Sequence, residues 1–498
     1  MEYIQPDFAS SGIEELDGIL GGGFERQRLH LVMGGAGTGK TTLAMQFALA
    51  GRERDEKVLY VTLTESASEL ESIARSHGWT LEGIDVFELM APVDEGDPEM
   101  PQSLFNPSEV ELTEAFRRLR ERVKGLSPEI LILDSVSELK MMAQDRFYYR
   151  RYLAAFKTFC SEQKVTVLKT AEPQTGHEDT QSYVHSVINL EQKASSYGNA
   201  RRRLLVTKVR GTHYRTGYHD FAIRTGGIAV FPRLNVLEDG GKKRMALISS
   251  GLSRLDELLG DGIHSSTSML IAGPAGIGKS TMAMSFAAAA AERDEPALIC
   301  LFDESVETMR MRSGILGGKF DSHVESGRII LRKIDPSSTT MGQFSSMIKE
   351  EIETSGVKMV VIDTLNALLQ SMSETQMLEM HVNHLIDFLS GEGVTSILVM
   401  AEHGIGSTAS ETVVNISYLA DTVMIMRYFE SGGEILNAVS VLKKRTGRHE
   451  RTIRQIRFTG GGIEIGEPLA EFQGVLTGNP RYVGRADKML GREADDGR

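Results

Sequence analysis

The chain has 498 residues, a formal net charge of −13 at pH 7 and a sequence pI near 5.5, a balance that gives no global attraction to nucleic acid or to an anionic membrane. Its two cysteines, Cys160 and Cys300, fall one in each half and support neither a disulfide framework nor a cysteine zinc site. The first residues are acidic and lack an apolar core, and no uncharged apolar run approaches the roughly 18 residues of a membrane span, so a cytoplasmic protein without signal or anchor is expected.

In chain order, the first strong signal is an apolar strand, Leu29 to Met33, running into Gly34-Gly35-Ala36-Gly37-Thr38-Gly39-Lys40-Thr41 and then a helix with a packed apolar face over Thr42 to Ala50. Strand, glycine-rich loop and helix are the context of the phosphate-binding motif G-x-x-x-x-G-K-[ST]. Further strand-type runs follow at Val58 to Leu63, Ile130 to Leu133, Val165 to Leu168 and Leu204 to Thr207. An acidic, proline-bearing segment between Ala91 and Pro107 is expected to be an exposed loop, and the polar stretch from Leu234 to Arg244 to be a linker.

The same series then recurs. A strand at Ser268 to Ala272 leads into Gly273-Pro274-Ala275-Gly276-Ile277-Gly278-Lys279-Ser280 and a helix over Thr281 to Ala291, with later strands at Ala297 to Phe302, Met359 to Ile362, Ser396 to Val399 and Ala438 to Leu442. The loop lysines lie 239 positions apart, and Ser11-Gly12-Ile13, Leu16-Asp17 and Glu65 return at that offset as Ser250-Gly251-Leu252, Leu255-Asp256 and Glu304. A duplicated α/β module is expected: domains over 1–233 and 248–478, a linker over 234–247 and a flexible tail over 479–498, each domain a mostly parallel sheet flanked by helices.

In such loops the glycines let backbone N–H groups converge on phosphate oxygens. The nucleotide-binding residues are therefore Gly35, Ala36, Gly37, Thr38, Gly39, Lys40, Thr41 and Thr42 in the first copy, and Pro274, Ala275, Gly276, Ile277, Gly278, Lys279, Ser280 and Thr281 in the second. Thr41 and Ser280 supply a hydroxyl for Mg²⁺, and Asp134 and Asp363, each ending an apolar strand, stand where an acid holds the metal's water shell. Glu65, and the pair Asp303 and Glu304, follow the neighbouring strand, where a carboxylate orients or deprotonates the attacking nucleophile. Near the end of each half come Lys208 with Arg210 and Lys443 with Arg445, each pair on one face of a strand, suited to reach a neighbouring subunit's γ-phosphate or simply to guard a sheet edge.

With these pieces in place the chain resembles the KaiC family, two-domain ATPases of RecA-like fold known as clock proteins and serine/threonine autokinases. The resemblance runs from Ser11-Gly12 to about Pro480, and its most specific pieces are Lys208-Val209-Arg210-Gly211-Thr212, Thr225 to Pro232 and Asp363-Thr364-Leu365-Asn366-Ala367-Leu368. It implies two tandem RecA-like P-loop NTPase domains, ATP with Mg²⁺ in both, a homohexameric double ring with nucleotide between subunits, and Lys208, Arg210, Lys443 and Arg445 contacting nucleotide in trans. The family's second domain phosphorylates itself, which places the acceptor at Ser417, with Thr412 as an auxiliary hydroxyl and Tyr418 where a second serine or threonine is usual. The family's Glu-Glu pair is Thr64-Glu65 in the first copy and Asp303-Glu304 in the second.

An ATPase with serine autokinase activity in its second domain, served by clock or signalling partners, is the leading expectation. A nucleotide-gated hexameric scaffold without autophosphorylation is the alternative, to which Tyr418 and the missing glutamates lend weight. A DNA recombinase or helicase is disfavoured by the acidic balance and the lack of a basic, aromatic-bearing DNA loop.

Overall fold

The computed structural model describes residues 7–90, 107–142, 146–173, 178–194, 199–234, 245–316, 319–370, 375–402, 417–476 and 481–482. The chain divides into two compact units, residues 1–233 and 234–498.

Each unit is built on a nine-stranded sheet. In the first, the strands run Asp85–Glu88, Val58–Thr62, Ile130–Asp134, Thr166–Ala171, Leu29–Gly34 and Ser186–Lys193, all parallel, and continue as an antiparallel meander through Arg201–Val209, Tyr218–Arg224 and Gly227–Phe231. The second repeats the order with Ile329–Lys333, Ala297–Leu301, Met359–Asp363, Thr395–Glu402, Ser268–Pro274 and Thr422–Ser431, then Glu434–Lys444, Ile453–Thr459 and Gly462–Pro468. The fold is thus α/β with two tandem RecA-like domains. The last strands depart from a purely parallel reading because short turns, too short for a crossover helix, join them.

Strands such as Val58–Thr62 and Met359–Asp363 are buried at every position, because helices cover both faces. Separate apolar clusters form on the two faces: Val32, Tyr60, Ile132 and Leu168 on one side of the first sheet, and Leu31, Leu59, Leu133 and Val167 on the other. Helices Lys40–Glu53 and Lys279–Glu292 begin at the loop lysines, two residues earlier than the apolar pattern suggests.

The acidic segment over 91–106 lies outside the described residues, and Pro107 opens helix Pro107–Leu126, a position where its missing N–H costs no hydrogen bond. Of the stretch 234–247, Leu234 packs on the second unit's core and Leu247–Ile248 pairs with Ile263–His264, while 235–244 lies outside the described residues. Past 479, Arg481–Tyr482 pairs with Phe472–Gln473.

Candidate nucleotide sites

Both glycine-rich loops end in a glycine that the fold cannot replace. Gly39 and Gly278 have φ of 98° and 99°, and a Cβ there would stand 2.8 Å from Ile223 Cδ1 and 2.2 Å from Phe458 Cζ. Each is the N-cap of the following helix, and neither helix has a side-chain cap. The first-turn N–H groups are therefore uncapped by a side chain and suited to an anionic ligand.

Lys40 Nζ donates to the carbonyls of Gly34 and Gly35, both at 2.9 Å, and Lys279 Nζ donates to that of Pro274 at 2.6 Å. Each ammonium is parked on its own loop. Burial pushes Lys279 down to about 8, against the opposing charges of Asp363 and Glu402. A bound polyphosphate would add to the counter-charge that Asp363 and Glu402 give this buried amine.

Around Asp134 and Asp363, the candidate metal-site aspartates, the two units differ. Asp134 is buried and accepts from Tyr60 Oη at 2.7 Å and from Thr170 Oγ1 on its other oxygen. Asp363 is buried too, but Ile299 and Val399 occupy the matching strand positions, and the hydroxyl that acts on it is Ser280 of the loop. Burial raises its pKa above the usual carboxylate range, with Ser280, Arg312 and Lys279 pulling the other way. A buried carboxylate under the influence of the loop hydroxyl, its pKa raised by burial, fits Mg²⁺. Asp134 fits as well, its spare lone pairs remaining after two hydroxyls have fixed its orientation. Asp134 and Asp363 each precede a cis peptide.

The carboxylates of the neighbouring strand are brought to the same end of the sheet. Leu63 N donates to Asp134 O at 2.9 Å and Phe302 N to Asp363 O at 2.8 Å, tying the turns that carry Glu65 and Glu304 to the aspartate strands. Glu65 receives the Thr64 hydroxyl, while its carbonyl accepts from Thr62 at 2.6 Å. Asp303 accepts from Thr364 Oγ1 at 2.7 Å, and Glu304 from Arg312 at 2.6 Å. Burial raises the pKa of Glu304, opposed by Arg312. Tyr60, Thr170, Arg312 and Glu402 are the additions that sequence reasoning missed; all but Arg312, eight residues from Glu304, act through a partner distant in sequence.

Lys208, Arg210, Lys443 and Arg445 are not brought to their own loops. Lys208 is level with Val187, and the next strand sets Ser186 beside His30, at the opposite end of the loop strand from Gly34. Lys443 pairs with Val423 while Thr422 sits beside Met269, so the second unit repeats the placement. Their side chains fold back on local carbonyls: Lys208 on Gln181 at 2.5 Å, Arg210 on Ser182 at 2.7 Å, Lys443 on Ala420 at 2.8 Å and Arg445 on Tyr418 at 2.9 Å. Ser417 lies in the short helix Ser417–Leu419 just ahead of Thr422, at that same far end. Thr412 lies outside the described residues.

Comparison with known proteins agrees with the duplication of the unit. A family model described as "ATPase: KaiC" matches residues 9–235 and again residues 248–470. The chain is 26% identical to a circadian clock oscillator protein KaiC of Picosynechococcus sp., covering 96% of this chain and 93% of that one, and 26% identical to a circadian clock protein KaiC3 of Synechocystis sp., covering 96% and 95%. To a circadian clock oscillator protein KaiC 1 of Synechocystis sp. it is 25% identical, covering 98% and 96%. Two matches to one family model, spanning most of the chain and falling one on each sheet, place this chain in the KaiC ATPase family.

Proposed function

We propose that this KaiC-family ATPase binds Mg-ATP at both loops and that its second unit transfers the γ-phosphoryl group to Ser417 of a neighbouring copy within a homohexamer. The observation that carries the reading is the strand register: Ser417, Lys443 and Arg445 share the sheet end opposite their own loop. A second copy is what can bring them to a nucleotide. Lys208 and Arg210 stand in the same relation to the first loop and would serve its nucleotide in trans.

In the transfer, Ser417 Oγ attacks the γ-phosphorus, its proton passes to a carboxylate, and the bond from that phosphorus to the β,γ-bridging oxygen breaks, leaving ADP and phosphoserine. Glu304 suits the base, since burial makes its carboxylate a better proton acceptor; Asp303, held by Thr364, is the other carboxylate at hand. Lys279 and the loop N–H groups hold the phosphates, and Ser280 with Asp363 would hold Mg²⁺, which supplies charge neutralisation at the β,γ-oxygens. Thr41 and Asp134 would hold it in the first unit. The relatives are named as circadian clock proteins; clock or signalling proteins are the partners proposed for this chain, in the cytoplasm, and the acidic balance argues against nucleic acid.

Incubation with Mg-ATP is expected to add one phosphoryl mass to the peptide containing Ser417. Phosphate release without that increment would leave a second reading, a nucleotide-gated scaffold in timing or signalling. The ion pair of Glu304 with Arg312 favours that reading, because a paired carboxylate is a poorer base.

A further inference from the structure

Glu402 and Arg427 form a buried ion pair across the base of the second phosphate loop, each about 6% exposed. Glu402 is the strand partner of Pro274 on one side of the loop strand. On the other side Ala272 pairs with Ile425, so Arg427, two residues on, also flanks Pro274. The pair therefore spans the strand from which the loop springs. Arg427 takes one carboxylate oxygen; Oε1 is buried with no partner among the described residues. Its charge acts on Lys279, whose ammonium rests on the Pro274 carbonyl.

Among the described residues the first unit has no such pair. Counting on from Ala171 and Asn189, the partners of Met33, the matching positions hold Pro173 and Glu191. Glu191 turns instead to Arg203 at 2.8 Å and Tyr218 at 3.0 Å.

From this we infer that Glu402 sets the nucleotide preference of the second unit, disfavouring ATP relative to ADP by holding a fixed negative charge beside the phosphate-binding Lys279. This rests on the reading that the second unit binds ATP. A phosphate-loop lysine serves the β- and γ-phosphates. A bare carboxylate oxygen competes for that lysine and repels the γ-phosphate, which carries the charge by which ATP exceeds ADP. Arg427 fixes the carboxylate in place and offsets part of its field. The second unit is thereby biased toward releasing its triphosphate state, a bias the first unit lacks.

The test uses the full chain carrying Lys40→Ala, so that only the second loop reports, with Mg²⁺-ATP and Mg²⁺-ADP dissociation constants measured by equilibrium dialysis. Glu402→Gln is expected to tighten ATP by about tenfold and ADP by less. Arg427→Gln is expected to weaken ATP more than ADP, and the Glu402→Gln, Arg427→Gln double variant to return near the parent. Opposite signs from the two single changes cannot come from a merely structural role, which would weaken binding in both. An unchanged ATP-to-ADP ratio in Glu402→Gln, or weaker binding in both single variants, overturns the inference while leaving the ATP reading intact. If the parent itself binds neither nucleotide, the reading fails and the inference with it.

Discussion

Tyr60 donates its phenolic hydroxyl to Asp134 at 2.7 Å, and both side chains are buried. The matching pair in the second unit is Ile299 and Asp363, with no hydroxyl to donate. The first unit's acid is thus held by hydroxyls of the sheet itself, whereas the hydroxyl that acts on the second's belongs to Ser280 of the loop. Tyr60→Phe removes only the donor. It should cost the first unit about 1 kcal/mol and raise, by about tenfold, the Mg²⁺ concentration needed for ATP binding at the first loop. Metal titrations in a Lys279→Ala chain, where the first loop alone reports, check this.

The basic pairs at the far end of each sheet make a mixing experiment decisive. A Lys40→Ala chain lacks a first-unit phosphate lysine; a Lys208→Ala, Arg210→Ala chain lacks the residues expected to reach a neighbour. With Lys279→Ala in both, each alone should release phosphate at least about 100-fold more slowly than the Lys279→Ala parent. Co-assembled, they should recover part of the rate, because some interfaces then pair an intact loop with intact basic residues. Failure to recover would place Lys208 and Arg210 outside the catalytic interface.

Arg312 holds Glu304 by a 2.6 Å ion pair while burial pushes that carboxyl upward. A base works deprotonated, so activity falls as pH drops through its pKa. Removing the guanidinium with Arg312→Met takes away the stabiliser of the charged form and raises the pKa further. The acid limb of the second unit's pH–rate profile should therefore move to higher pH. A limb that stays in place would assign the base to another group, Asp303 first.

What the sequence disclosed follows from where its constraints are local. Gly39 and Gly278 are dictated by a left-handed φ and a neighbouring side chain, and Asp134 and Asp363 close fully buried strands, so both stand out in a linear reading. The strand Ser186–Lys193 did not, since only half of it is fully buried and it ends in Glu191-Gln192-Lys193. Nor did Asp85–Glu88, an edge strand with no fully buried residue. Tyr60 with Asp134 and Glu402 with Arg427 are legible only once strand order is known, whereas Arg312 reaches Glu304, eight residues back, from the end of helix Val306–Arg312. Glu402 is a single acid after an apolar run until Arg427 arrives from across the loop strand.

Lys169 lies in the middle of the first sheet, paired with Leu31 and Leu133, about 1% exposed, its Nζ without a partner among the described residues. Burial pushes it down to about 8. The neighbouring Cys160 thiol is itself pushed up to about 12 by burial, so it stays protonated and supplies no counter-ion. The folded-state pKa lies below the ordinary lysine value of 10.5, so the unfolded chain binds the proton more tightly. Below about pH 8 the folded unit carries the full cost of a buried ammonium, on the order of 3 kcal/mol. As pH rises from there to 10.5 the cost disappears, and stability rises. Lys169→Met keeps the volume and removes the charge, so it should stabilise the first unit at neutral pH and abolish its share of the alkaline gain. Hydrogen exchange across Thr166–Ala171 at pH 7 and pH 9 measures both effects: slower exchange in the variant at pH 7, with the advantage shrinking at pH 9, is the expected result. Equal or faster exchange at pH 7 would mean that the amine has a partner in solution.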